Sequence, residues 1–283
     1  MQDYVKLSVI GSNDETMRDF LATELAEAGA EAFDEDGDAF NAYVPCALFD
    51  AERFDAVFDS EPFRGIFSRS VERLPARNWN SVWESNFEPV IVAGRCVVYA
   101  SFHKDVPKTE HSMEHSILID PRMTFGTGHH ETTRLCIEAI LDETIEGKTT
   151  LDMGCGTGVL GILAAKRGAS SVTAIDNDPA AAENAAENAA LNGVDSRFAA
   201  LTGDASTIAG RKFDLVLANI NRNVLLNDTE KYAETLREGG ALIMSGFYAE
   251  DVPLLMEAAE ASGLVKTGES ALKGWTALKF EKR

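Results

Sequence analysis

Basic residues are scarce in this chain. Lysine and arginine number 26 against 46 aspartates and glutamates, a formal net charge of −20 over 283 residues. Nucleic-acid binding rests on basic side chains that neutralise phosphates, so no direct nucleic-acid partner is expected. A small molecule or a basic protein suits the balance better, and the acid also favours solubility. Cysteines are few as well. Cys46, Cys96, Cys136 and Cys155 show no paired spacing, which excludes a disulfide framework as the basis of the fold. The five histidines, His103, His111, His115, His129 and His130, fall in one short region. His111 and His115 have helix-face spacing, but no cysteine or acid cluster completes a ligand set, so no metal is expected. Long apolar runs are missing: nothing approaches the roughly 20 residues that span a bilayer. The opening "MQDYVKLSVIG" lacks the basic start and apolar run of a secretion signal, and the cytoplasm is the expected location.

Hydrophobic residues make up 45% of the chain, enough for a full core, and the length suits one large or two ordinary domains. "YVKLSVIG" predicts a strand. "DETMRDFLATELAEAG" predicts a helix with Met17, Phe20, Leu21 and Leu25 on its apolar face and Gly29 as its stop. Strand-like pieces follow in "AEAFDEDGDAFNAYVP". "DAERFDAVFDSEP" predicts a second helix with Phe54, Val57 and Phe58 on one face, and "IFSRSVERL" a further strand. This β-α-β-β-α-β order predicts a small ferredoxin-like domain over residues 1–75. Acid is concentrated there. Between Asp14 and Glu61 the basic residues are only Arg18 and Arg53, a field that would attract a basic partner or simply a solvated face. Trp79, Trp83 and Phe87 recur every four residues in "PARNWNSVWESNFEPV", which predicts a short helical connector over 76–90. A hairpin, "VIVAGRCVVYASF", leads on.

From about Ile117 strands and helices alternate, which predicts a domain over 91–283 with a parallel sheet. The strand signals are "TTLDMG", "SVTAIDND", "RFAALTGD", "FDLVLANI", "GALIMSGF", "LVKTGESAL" and "GWTALKFE". No helix fits between the last two, so they should close a mostly parallel, seven-stranded sheet as an antiparallel hairpin. "PAAAENAAENAALNG" predicts a helix with Pro179 in its first turn and Gly193 at its stop.

Two glycine-rich loops stand close together, "MTFGTGHHETT" and "LDMGCGTGVLG". In the second, Gly154, Gly156 and Gly158 join a strand to a helix, where a bare backbone can turn sharply and meet a ligand. Asp176 closes the next strand about 20 residues on, where an acid meets ribose hydroxyls in nucleotide-binding folds. "GTGVLG" also fits the dinucleotide fingerprint, so a nicotinamide enzyme is the rival reading. Asp152 tilts the balance. A pyrophosphate favours bare N–H groups over an acid, whereas the cationic sulfonium and ammonium of S-adenosylmethionine tolerate one. Asn219 ends the fourth strand in "LANINRNVLL", at the edge where open α/β sheets hold ligands. Asp204 follows the third strand in "GDAS", where it is either an adenine-side acid or a turn and helix cap.

The acid-x-Gly-x-Gly-x-Gly run from Asp152 to Gly158, with Asp176 after the second strand, closely resembles class I methyltransferases. Together with "FGTGHHETT", "ANI" and the Trp-rich connector, nearly the whole chain is similar to the ribosomal protein L-eleven methyltransferase family, most strongly from Phe125 to Asn219. That resemblance implies a class I methyltransferase fold, Rossmann-like α/β, behind a ferredoxin-like substrate-recognition domain. It implies S-adenosylmethionine as methyl donor, bound through Phe125, Thr133, Gly154, Gly156, Asp176, Asp204 and Asn219, with Asn219 also facing the target nitrogen. It implies methylation of lysine side-chain and N-terminal amines of a basic ribosomal protein of the large-subunit stalk base, by an enzyme expected to be a monomer. A methyltransferase for another protein or a small molecule is the alternative, an NAD-dependent oxidoreductase a more distant one. In the resemblance the first glycine loop is a wall over the cofactor, and His130 orders it. Three residues depart from the family pattern: His129 stands where it has threonine, Glu131 where it has proline, and Asn221 where it has an apolar residue beside the amine.

Overall fold

The computed structural model describes residues 3–11, 15–36, 39–74, 88–103, 113–120 and 130–283. Chain contacts divide it into two units, Met1–Phe87 and Glu88–Arg283. The connector helix read over 76–90 falls mostly outside the described residues, as do Phe125, His111 and His129.

The first unit holds β1 (Tyr4–Ile10), α1 (Glu15–Ala28), β2 (Ala32–Asp36), β3 (Ala39–Pro45), α2 (Ala51–Asp59) and β4 (Ser68–Leu74). Its four strands form one antiparallel sheet in the order β2-β3-β1-β4. Alternation along β1 buries Val5, Leu7 and Val9, and Leu7 and Val9 pack with Leu21 and Leu25 of α1 and with Phe54 and Phe58 of α2. Asp50 caps α2 by accepting from the N–H groups of Glu52 and Arg53. Gly29 ends α1 at φ +118°. The apolar face of α1 is narrower than expected. Phe20 is exposed, and its ring leans on Phe63 at 5.2 Å. At about 100° per residue it sits on the rim of the stripe centred on Leu21 and Leu25.

The second unit opens with a small sheet, β5 (Val90–Val92), β6 (Cys96–Tyr99) and β7 (His115–Leu118). β5 and β6 form the expected hairpin, and β7 adds parallel to β6, a pairing too short to read from periodicity. The main sheet contains β8 (Thr149–Met153), β9 (Ser171–Asp176), β10 (Phe198–Thr202), β11 (Phe213–Asn219), β12 (Leu236–Tyr248), β13 (Leu264–Leu272) and β14 (Trp275–Lys282), in the order β10-β9-β8-β11-β12-β14-β13. β8 to β12 run parallel, and β14 is antiparallel to both its neighbours. The strands read as apolar runs because both faces are covered. Leu215 and Leu217 face the layer of α3 (Glu131–Leu141), α4 (Val159–Lys166) and α5 (Pro179–Leu191). Val216 and Ala218 face α6 (Arg222–Thr235) and α7 (Val252–Ala261).

The "AAEN" pattern of α5 has a structural use. Asn184, Asn188 and Asn192 lie four apart, on one helix face. Asn192 accepts from the Leu118 N–H and donates to its carbonyl, Asn188 accepts from the Asp120 N–H, and Asn184 donates to the Asp120 carbonyl. Three carboxamides thus bond the last residue of β7, Leu118, and the backbone just beyond it at Asp120, and Asn188 also donates to the Thr157 carbonyl in the glycine loop.

Candidate active site

The chain leaves β8 toward β9 on one side, while β11 lies on its other side, so the sheet has its switch point between β8 and β11. Ligands of open α/β sheets bind outside the carboxyl ends at such a point. Gly154 and Gly156 follow β8, Asp176 ends β9, Asp204 lies two residues past β10, and Asn219 ends β11. One edge therefore carries these residues. Thr133 reaches it from the first turn of α3.

The loop after β8 is tied to β9. The N–H groups of Gly154 and Cys155 donate to the Ile175 carbonyl at 2.8 and 3.1 Å. The Gly156 N–H donates to Asp176 Oδ2 at 2.9 Å, and the Asp178 N–H to Oδ1 at 3.0 Å. Each carboxylate oxygen of Asp176 thus holds one backbone donor and has capacity for another. Gly154 takes φ +66°, and a Cβ there would overlap Cγ2 of Ile220. A Cβ on Gly246 would overlap the Ile220 carbonyl from the other side. Ile220 is thereby wedged between two glycines, and it sets the backbone course directly after Asn219. The sequence offers Ile220 only as part of the "ANI" run and Gly246 not at all, because the requirement comes from strands distant in the chain.

Asp152, the acid that a cationic cofactor tolerates, bonds the helix that follows the loop. Its side chain is buried and Oδ2 accepts from the Gly161 N–H at 2.8 Å, bracing α4 against the sheet. Burial pushes its pKa up to about 7. Gly161 is needed for that close approach: a Cβ would press on Phe198, Asp152 and Val172. The last glycine of "GTGVLG" is thus a packing residue of the helix.

Asn219 is 9% exposed. Its Nδ2 donates to Thr133 Oγ1 at 3.3 Å, and its Oδ1 is buried with no hydrogen-bond partner among the described residues. A buried polar atom of this kind is costly to leave unpaired, and at the switch point it is available to a donor on a ligand. Asp204 caps the 3-10 turn Ala205–Ile208, accepting from the N–H and the hydroxyl of Ser206; those bonds hold its carboxyl below the usual range. Asn221 is exposed and caps α6 by accepting from the Val224 N–H at 3.1 Å, so this departure from the family pattern serves the helix. His130 caps α3, its Nδ1 accepting from the Thr132 N–H, and Glu131 ion-pairs with Lys273 at 2.8 Å. No cluster of metal-ligating side chains occurs among the described residues. No helix among them is long and apolar enough to cross a membrane.

A parallel five-strand run closed by an antiparallel hairpin, with a glycine loop after β8 and an acid ending β9, defines a class I methyltransferase, whose methyl donor is S-adenosylmethionine. Comparison with known proteins gives the family. The family model described as ribosomal protein L11 methyltransferase (PrmA) matches residues 8–283. Ribosomal protein L11 methyltransferase of Bacteroides fragilis is 44% identical over 269 residues, 94% of either chain. That of Porphyromonas gingivalis is 45% identical over 272 residues, 94% of this chain and 91% of the relative. The crystal structure of a ribosomal protein L11 methylase from Lactobacillus delbrueckii subsp. bulgaricus superposes with a TM-score of 0.62 at 27% identity, covering 69% of this chain and 98% of that one. The chain belongs to the ribosomal protein L11 methyltransferase family.

Proposed function

We propose that this protein transfers methyl groups from S-adenosylmethionine to lysine side-chain and N-terminal amines of ribosomal protein L11. The observation that carries the reading is the buried Asn219 carboxamide, fixed by Thr133 at the switch point with one oxygen still able to accept. Family membership and the relatives, which are ribosomal protein L11 methyltransferases, point to the acceptor protein.

The residues fit the methyl donor. Gly154 and Gly156 present bare backbone, Asp176 has capacity for ribose hydroxyls, and Thr133 and Asn219 close the side facing α3. Phe125 and Asp204 complete the set that the family implies. The bound donor supplies an electrophilic methyl group on a sulfonium, already a good leaving group, so the protein's task is positioning and exclusion of water. A lysine amine, with a reference pKa of about 10.4, must lose its proton before attack, and burial favours that loss. Asn219 Oδ1 accepts an amine N–H and aims the nitrogen lone pair. It is too weak a base to remove the proton, which leaves to solvent before the amine is enclosed.

The first unit has the strand order and two helices of a ferredoxin-like domain, and we assign substrate recognition to residues 1–75, a connector to 76–90 and methyl transfer to 91–283. The acidic stretch from Asp14 to Glu61 suits a basic protein and disfavours RNA, and we take the enzyme to act as a monomer in the cytoplasm. The test uses purified enzyme, labelled S-adenosylmethionine and three acceptors: L11, L11 with its lysines and amino terminus blocked, and ribosomal RNA. Label on L11 alone, mapped to amines by mass spectrometry, is expected. Label on the blocked protein or the RNA would overturn the amine assignment.

A further inference from the structure

The carboxyl edge of the sheet carries a second constellation that the donor site does not use. β12 ends at Tyr248 and β14 begins at Trp275, and the two are register partners across the antiparallel pair. Their rings stack with centroids 4.1 Å apart and planes 29° from parallel. His130 meets the indole edge-on, with centroids 4.7 Å apart and planes at 70°. His130 is also the N-cap of α3, whose first turn holds Thr133 against Asn219. Lys273, in the turn before Trp275, ion-pairs with Glu131 of the same helix turn. Trp275 therefore stands on the α3 side of the sheet, as does the Asn219 side chain.

The strands fix the spacing. Asn219 pairs with Ser245, and Tyr248 lies three residues further along β12. A bulge between Ser245 and Phe247 absorbs one residue, which returns Tyr248 to the face of Ser245 about two strand steps on. At about 3.3 Å per residue the aromatic pair begins about 7 Å beyond Asn219 and one strand to the side, a gap that its rings and one extended acceptor side chain can bridge. Tyr248 is 47% exposed, although one ring face is covered by Trp275. An exposed aromatic ring is unremarkable alone. An exposed ring braced by a second ring, which is itself held by a helix cap, is pre-organised and loses little freedom when a ligand docks. Its open face carries the negative side of the ring quadrupole and attracts a cation on an alkyl stem.

We propose that Tyr248, positioned by Trp275 and His130, is the docking face for the alkyl-ammonium side chain of the acceptor. It selects cationic amines, partly methylated ones included, over neutral side chains. Methyl groups spread the positive charge and ease its desolvation, so a partly methylated amine binds this face at least as well as the unmodified one. The proposal rests on the amine-methylation reading, and its test separates the two.

The probe is an acetylated, amide-blocked trimethyllysine, compared with its neutral analogue in which a carbon replaces the ammonium nitrogen. Both are titrated into the full-length protein while the indole N–H signal of Trp275 is followed by NMR, assigned by its loss in Trp275→Phe. The charged probe is expected to move that signal, with the neutral isostere binding about threefold or more weakly. Tyr248→Phe should keep the preference and Tyr248→Leu should lose it. In turnover with L11, Tyr248→Leu should raise KM for the acceptor about threefold or more while KM for the donor stays unchanged. Equal response to the two probes, or an unchanged preference in Tyr248→Leu, would overturn the docking face whatever the acceptor is. Charged-probe preference without amine methylation of L11 would uphold the face and overturn the amine reading instead.

Discussion

Among the described residues the Asn219 side chain is held by Thr133 through its amide nitrogen, and the opposite oxygen is the group that would touch the reacting amine. If it aims the lone pair, Asn219→Ala should lower kcat about 100-fold at saturating S-adenosylmethionine, because small misplacements at a reacting centre cost that much. A residue that only bound the donor would be rescued by more donor. Steady-state kinetics at high donor concentration decides, and a normal kcat would leave Asn219 a donor ligand only. Asp152 makes a different prediction. Its folded pKa of about 7 lies above its ordinary 3.8, so the unfolded chain releases this proton first. Its contribution to stability is complete below about 4 and is lost as pH rises through about 7. Asp152→Asn, which keeps an acceptor for the Gly161 N–H, should flatten the fall in stability over that window. Thermal melts of both proteins from pH 4 to 8 test this, and parallel curves would exclude Asp152 as the source. Asp214 and Asp251 work in the opposite sense. Both are held below the usual range despite burial, by bonds to Thr149 and Arg237 for Asp214 and, first, to Arg222 for Asp251. Their stabilisation is present above the ordinary carboxylate pKa and lost in acid.

At the scale of elements, α5 does more than cover the sheet. Its asparagine face supplies partners for the backbone of Leu118 and Asp120 and for the loop carbonyl of Thr157. Asn188 is fully buried and bonds two of these segments at once. Asn188→Ala should cost about 1–3 kcal/mol, since a buried donor and a buried acceptor lose their partners. Urea unfolding should show a lower midpoint at unchanged slope. A midpoint within error of the parent would mean that solvent replaces the carboxamide. The glycine loop calls for similar care in choosing probes. A side chain at 154 would strike Ile220, so Gly154→Arg would report on loop packing as well as on ligand contact.

At the scale of the molecule, the two units have separate apolar clusters. A unit with its own core is expected to fold alone. Deleting residues 1–87 should leave S-adenosylmethionine affinity within about twofold of the parent, since the residues assigned to the donor all lie beyond the division, while abolishing turnover on L11. Calorimetry and methylation assays on the truncated chain check the two halves separately. Full activity on L11 would show that the first unit does not select the substrate.

Local chemistry alone was enough for much of this. The glycines after β8, Pro179 opening α5, Gly29 closing α1 and the β13–β14 hairpin are legible because each depends on residues within a few positions of one another. Asn219 and Asp176 could be picked out because strand ends are local too, and the strand order then brings them to one edge. Only the tertiary structure could decide the rest. Asp152 turns to Gly161 because helix and strand pack within bonding distance there, and nothing in the "LDMG" run encodes which way the carboxylate faces. Asn221 and Asp204 become caps because a helix and a 3-10 turn begin beside them. Ile220 is trapped between Gly154 and Gly246, and Tyr248 meets Trp275 and His130, through contacts between segments far apart in the chain. Residue type and short spacing act along the backbone, where a sequence can be read directly. Burial and pairing across the sheet depend on which distant segment arrives, and that is settled only when the whole unit packs.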